Sequence, residues 1–250
     1  MRRLEITIAL VCSVAFIALT VWAIRVGYLP GEPAFLSAII AQRVALLNPP
    51  TLIISALGSM NFILPAWLVL MVALAILKRW SVVLQLAFVP LCYPLTALVK
   101  ALVGRAEPTP PTFPRLNDLP LGYFFEGLLR QHIQTLPSPS EPVAVVPPPV
   151  TEPSITQIIE TGYVSGHALV ALVFFGTLAW LVWQNISFAP MRWLGTLIFS
   201  ALALLVGAAR VYMGVHFPSD VLGAWLFGVV IVILLKWLPP FTAQVSRFWT

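Results

Sequence analysis

Apolar runs of about twenty residues, each closed by charge, proline or glycine, recur along the chain and set its pattern. They predict membrane-crossing helices at about 4–25, 57–77, 80–102, 166–184, 191–209 and 219–238, since roughly 20 apolar residues span a ~30 Å hydrocarbon layer. The first run opens with Arg2 and Arg3 and shows no small-residue cleavage pattern before Arg25, which predicts a retained anchor. Between the first two runs, "AFLSAIIAQRVALLNPP" carries Gln42 and Arg43 and closes on two prolines, the pattern of a helix lying at the interface. Pro65, Pro90 and Pro94 fall inside the second and third runs and predict kinks, because neighbouring helices can re-satisfy the carbonyls they free.

From about 106 to 162 the pattern changes. Prolines crowd into "EPTPPTFPRL", "LPSPSEP" and "VPPPVTEP", which forbids a continuous helix and predicts an extended loop. Within it "GYFFEGLLRQHIQTL" sets Phe124, Leu128, Leu129 and Ile133 near helical spacing, predicting a short amphipathic helix that carries His132 on the bilayer surface. The expected fold is therefore an all-α membrane protein, a six-transmembrane-helix bundle over 1–250 with a proline-rich extracytoplasmic insert at 106–162, between helices 3 and 4.

Composition agrees with this and excludes soluble classes. The 250 residues are 60% hydrophobic and 9% charged, and the mean hydropathy is +0.95. The +5 net charge comes without a basic run or an aromatic-interleaved stripe, so no nucleic-acid partner is indicated. Cys12 and Cys92 fall in apolar runs and signal neither disulfide nor metal. On the side of both termini stand Arg2, Arg3, Lys78, Arg79, Arg192, Lys236 and Arg247 with one acid, Glu5. The other side carries seven basic and eight acidic residues. The basic counts tie, but Lys100, Arg105 and Arg210 on the second side read as parts of a site, which leaves the termini as the cytoplasmic side.

Charge this close to lipid is expensive and usually functional. In "ARVYMGVHFPSD", Pro218 suits the first turn of the last helix, His216 sits just before it, and Asp220 can reach back to the imidazole. A histidine oriented by a carboxylate keeps its proton on one nitrogen and leaves the other to attack an electrophile. Arg210 adds a fixed cation whose fork matches phosphate. In "YVSGHALV", Ser165 is placed as an N-cap, Gly166 lets backbone approach closely, and His167 follows, so free amides, a hydroxyl and a small residue form an anion cradle. In "LVKALVGRAEP", Lys100 lies in an apolar run, with Arg105 and Glu107 after it. Singly, these stretches also fit an interfacial Arg–Asp pair or an ordinary Ser-Gly cap. Together, the predicted topology brings all three to one membrane face.

The three stretches resemble, in order and spacing, the type-2 phosphatidic acid phosphatase superfamily, shared with vanadium haloperoxidases and glucose-6-phosphatases. Its pattern is K-x6-R-P, then P-S-G-H, then S-R-x5-H-x3-D. The third motif is kept as Arg210, His216 and Asp220, with Ala209 for serine. The second is kept as Ser165, Gly166 and His167, with Val164 for proline. The first keeps Lys100 and Pro108 but has Glu107 where the family has arginine.

The resemblance implies a metal-independent membrane phosphatase without cofactor, cleaving a lipid phosphate or isoprenyl pyrophosphate through a phosphohistidine. His216 would be the nucleophile, Asp220 its orienter and His167 the acid and base. Lys100, Ser165, Gly166 and Arg210 would hold the phosphoryl oxygens. Glu107 would repel a bound phosphate unless it pairs with Arg105 and points away. Arg105, about 140° round a continuing helix from Lys100, would reach the pocket only if Gly104 ends the helix. Two other readings stay open: a catalytically silent relative that binds or transports anionic lipids, and a scaffold whose proline-rich insert docks a partner.

Overall fold

The computed structural model describes residues 2–108 and 162–237. Most of the expected proline-rich loop, with its amphipathic helix and His132, lies outside them. The described residues form α1 (Arg2–Arg25), α2 (Glu32–Ala41), α3 (Asn48–Ala56), α4 (Met60–Ile76), α5 (Trp80–Ala87), α6 (Cys92–Val103), α7 (Gly166–Asn185), α8 (Ala189–Tyr212) and α9 (Pro218–Trp237), with no strand among them.

Five stretches are long and apolar enough to cross a membrane: α1, the α5–α6 pair from Trp80 to Val103, α7, α8 and α9. The remaining expected span is α4, whose 17 residues rise about 25 Å, the short end of what a crossing needs. Pro65 lies inside α4, while Pro90 falls in a 3₁₀ turn, Val89–Leu91, that separates α5 from α6. The interfacial helix expected before α4 is instead two helices, α2 and α3, bent by 100°. The proline pair 49–50 opens α3 rather than closing a helix, because a first-turn proline loses no hydrogen bond there.

The core is built around α7. Residues Ala168 to Phe175 are buried without interruption, the mark of a helix enclosed on all sides. α8 and α9 pack against it, and small residues let them come close. A Cβ at Gly228 of α9 would meet Leu172 of α7 at 2.4 Å, and one at Gly207 of α8 would meet Val221 of α9 at 2.6 Å. α1 is mostly exposed apolar surface; among its residues only Ala23 is buried. It runs antiparallel to α9 as a lipid-facing strut. At one end Glu5 accepts from Lys236 Nζ at 2.7 Å and from Trp237 Nε1 at 3.0 Å. At the other, the chain leaving α1 reaches the start of α9, where Tyr28 packs on Phe217 with ring centroids 4.6 Å apart.

Candidate active site

All three singled-out stretches converge on that second end. α8 finishes in a Schellman turn: Gly214, at φ 70, lets its own N–H reach the Val211 carbonyl at 2.9 Å and the Val215 N–H reach the Arg210 carbonyl at 3.2 Å. The reversal keeps Arg210 in the last helical turn and delivers His216 two residues after the glycine. Arg43 crosses over the turn and donates from Nε to the Tyr212 carbonyl at 2.9 Å, covering an orphan acceptor of the helix end.

At the start of α9, Asp220 reaches back so that Oδ2 accepts from the Phe217 N–H at 2.8 Å, half of a capping box. The same oxygen lies 3.5 Å from His216 Nδ1, ion-pair range but longer than a good hydrogen bond. His216 is 2% exposed and Asp220 0%. The Ser165 N–H donates to the Asp220 carbonyl at 3.2 Å, which joins the start of α7 to that of α9. Ser165 is the N-cap of α7, its hydroxyl accepting from the Ala168 N–H. His167 stands in the first turn, half-buried. Its backbone lies against Gly58, where a Cβ would meet the His167 carbonyl at 3.0 Å. Arg210, also buried, donates from Nη1 to Ser55 Oγ of α3 at 3.2 Å. Among the described residues nothing accepts from its Nε.

Gly104 does end α6, at φ 63 in the left-handed region, and Arg105 therefore turns inward. Its guanidinium is engaged by buried acids. Nη2 pairs with Asp220 Oδ1, while Nη1 donates to Ser219 Oγ at 2.9 Å and to the Gly27 carbonyl at 2.8 Å. The guanidinium lies over the rings of Tyr28, Tyr163 and Phe217 at 5.3 to 5.4 Å. A second buried acid, Glu32, stands 3.9 Å from Arg105 and accepts from the Ser219 N–H at 2.6 Å, a first-turn amide of α9 that has no acceptor within its own helix. Arg105 thus offsets two buried carboxylates and fixes Asp220 from the side opposite His216.

Glu107 does not pair with Arg105. Its Oε1 lies 3.3 Å from Lys100 Nζ, and its charge also acts on Arg210. With Gly104 ending α6, the chain doubles back and sets Glu107 over the helix it has left. Gly162, where the described chain resumes, donates to the Arg105 carbonyl at 2.6 Å. A Cβ at Gly162 would sit 3.3 Å from Asp220 Oδ2, so the root of the long insert rests on the site.

Two phenols line the Arg105 side. Burial pushes the Tyr163 hydroxyl up to about 12, against the opposing hydrogen bond with Thr20, whose Oγ1 is 3.0 Å away. Burial also raises Tyr28, with the Arg105 charge opposing. Sequence reasoning did not find Tyr28, Glu32 or Ser55. Each comes from the α1–α3 region, far along the chain, and nothing in its local pattern marks it.

A helical membrane bundle whose helix ends gather a buried histidine–aspartate pair, a capped helix start and fixed cations is the class defined by fold and site. Residues 66–243 match the PAP2 superfamily, and the chain belongs to it. It is 33% identical over 85 residues to "Phosphatidylglycerophosphatase B" of Bacillus subtilis (strain 168), covering 34% of this chain and 40% of that protein. It is 35% identical over 71 residues to YbjG of Escherichia coli (strain K12), named as a candidate undecaprenyl-diphosphatase, covering 28% of this chain and 31% of that one. The matched stretches span less than half of either relative. The fold resembles the crystal structure of a transmembrane PAP2-type phosphatidylglycerolphosphate phosphatase from Bacillus subtilis. The TM-score is 0.66 at 21% identity, over 96% of this chain and 98% of that one.

Proposed function

We propose that this chain is an integral membrane phosphatase that cleaves a lipid phosphate or isoprenyl pyrophosphate by covalent catalysis. The observation that carries this reading is the buried His216–Asp220 pair, with Nδ1 turned to the carboxylate and Arg210 close by in the preceding turn. Nε2 of His216 is then the nitrogen left to attack phosphorus, in line with the leaving oxygen. As the N–P bond forms, the P–O bond to the lipid breaks, and His167 gives that oxygen a proton. Water, deprotonated by His167, then displaces phosphate from His216 and restores both rings. Asp220 stabilises the imidazolium character that builds on His216, and a small ring rotation closes the 3.5 Å gap.

Phosphoryl transfer needs placement and fixed positive charge above all. Arg210, Lys100, the Ser165 hydroxyl and the Gly166 amide at the α7 start supply them. No step calls for a metal. The apolar surface of the surrounding helices suits a substrate with a lipid tail, and the site belongs on the extracytoplasmic side, opposite the termini.

The test is phosphate release from a panel of lipid mono- and diphosphates by detergent-purified protein with chelator present. Wild type releases phosphate and His216→Ala does not; turnover by His216→Ala at the wild-type rate overturns the assignment. Glu107 on Lys100 favours one other reading, a relative that binds or transports anionic lipids without turnover. It predicts lipid phosphate binding with no phosphate released by any form of the protein.

A further inference from the structure

Among the described residues three carboxylates touch the cationic cluster, and they are not equivalent. Asp220 and Glu32 have side chains 0% and 3% exposed and are held by backbone amides as well as by Arg105. Neither can leave without stranding those donors. Glu107 is different. Its side chain is 35% exposed and pairs with Lys100, which is itself 12% exposed. It stands on the segment that follows the Gly104 turn, outside α6, so a side-chain rotation carries it into water.

A phosphoryl group and the Glu107 carboxylate cannot both sit on Lys100, because like charges a few Å apart in a poorly hydrated site repel strongly. We propose that Glu107 is a built-in, exchangeable counter-anion of the phosphate pocket: it occupies Lys100 until a phosphoryl group displaces it, and so sets how tightly phosphate binds. Every phosphate meets the same displacement cost. A lipid phosphate offsets it with the binding of its tail, whereas free inorganic phosphate has nothing further to offer and is held weakly. Glu107 thus lowers the affinity for every phosphate alike, which keeps free inorganic phosphate weakly held and lets the product leave. The inference rests on the phosphate-site reading given under Proposed function, but its test does not use turnover.

Inorganic phosphate is titrated into the detergent-purified full chain by calorimetry, comparing wild type with Glu107→Gln, Glu107→Ala and Glu5→Gln. Glu5 pairs with Lys236 at the far end of the bundle, so Glu5→Gln removes the same charge away from the site. Both Glu107 variants should bind phosphate about tenfold or more tighter than wild type, with thermal midpoints unchanged, and Glu5→Gln should bind as wild type does. Unchanged or weaker affinity in both Glu107 variants, an equal gain in Glu5→Gln, or no binding by either Glu107 variant would overturn the proposal. A gain in affinity without hydrolysis of any lipid phosphate sinks the phosphatase reading and leaves this one standing. Hydrolysis that depends on His216, with no gain in affinity, does the reverse.

Discussion

Replacing Arg105 by methionine tests whether the buried charge network holds the site together. The change keeps the length of the side chain but removes the cation from between Asp220 and Glu32. It also removes the donors to Ser219 and to the Gly27 carbonyl, and the charge stacked on three rings. Taking one partner from a buried ion pair costs about 3–5 kcal/mol, because a carboxylate is left without its counter-charge. Against a total stability of about 5–15 kcal/mol that is a large fraction. Arg105→Lys keeps the charge but not the fork, and a single ammonium cannot serve Asp220, Ser219 and Gly27 together. A smaller loss of about 1–2 kcal/mol is expected there.

Denaturation of the detergent-solubilised protein, followed by tryptophan fluorescence, reads both variants. Adding Asp220→Asn to Arg105→Met removes one of the stranded charges and should recover about 1–3 kcal/mol of the loss. If Arg105→Met unfolds within about 1 kcal/mol of wild type, or if Asp220→Asn makes it worse, Arg105 is not the counter-charge of the buried acids.

Asp220→Asn alone should lower turnover of a lipid phosphate by about 10²-fold or more, through loss of the orienting carboxylate, while His216→Ala abolishes it; a steady-state phosphate-release assay reads both. Gly58→Ala should cost about 1–3 kcal/mol and lower turnover, because its Cβ would meet Val206 at 2.4 Å and the His167 carbonyl at 3.0 Å; the thermal midpoint and kcat measured together check it. Tyr163 has a folded-state value pushed up to about 12 from the usual 10, so the folded form keeps its proton where the unfolded form has lost it. Its contribution to stability is present below about pH 10 and is lost as pH rises through about 12, and Tyr163→Phe should flatten that part of the stability profile.

The spans were legible because a hydrocarbon layer demands long apolar helices, and that demand leaves its mark in composition alone. The Pro90 region shows the limit: the proline predicted a kink, and the chain there goes further, into two helices joined by a 3₁₀ turn. The interfacial stretch before α4 shows it again, since a proline pair can close one helix or open the next, and local pattern does not choose. The candidates Lys100, His167, Arg210, His216 and Asp220 stood out because charge and imidazole are costly near lipid, and Ser165 and Gly166 because they mark a helix start. Where they stand relative to one another follows from helix ends meeting at one end of the bundle.

Arg105 and Glu107 separate the two kinds of knowledge. Sequence alone determined that Gly104 could stop the helix and that an acid stands where an arginine was expected. Only the tertiary structure decided that Arg105 turns to Asp220 and Glu107 to Lys100. Each charge takes the partner that folding brings within reach, and Asp220, 115 residues from Arg105, is supplied by another helix. Local patterns set which segments leave water, whereas the pairing of buried charges depends on distances that exist only once the helices have packed.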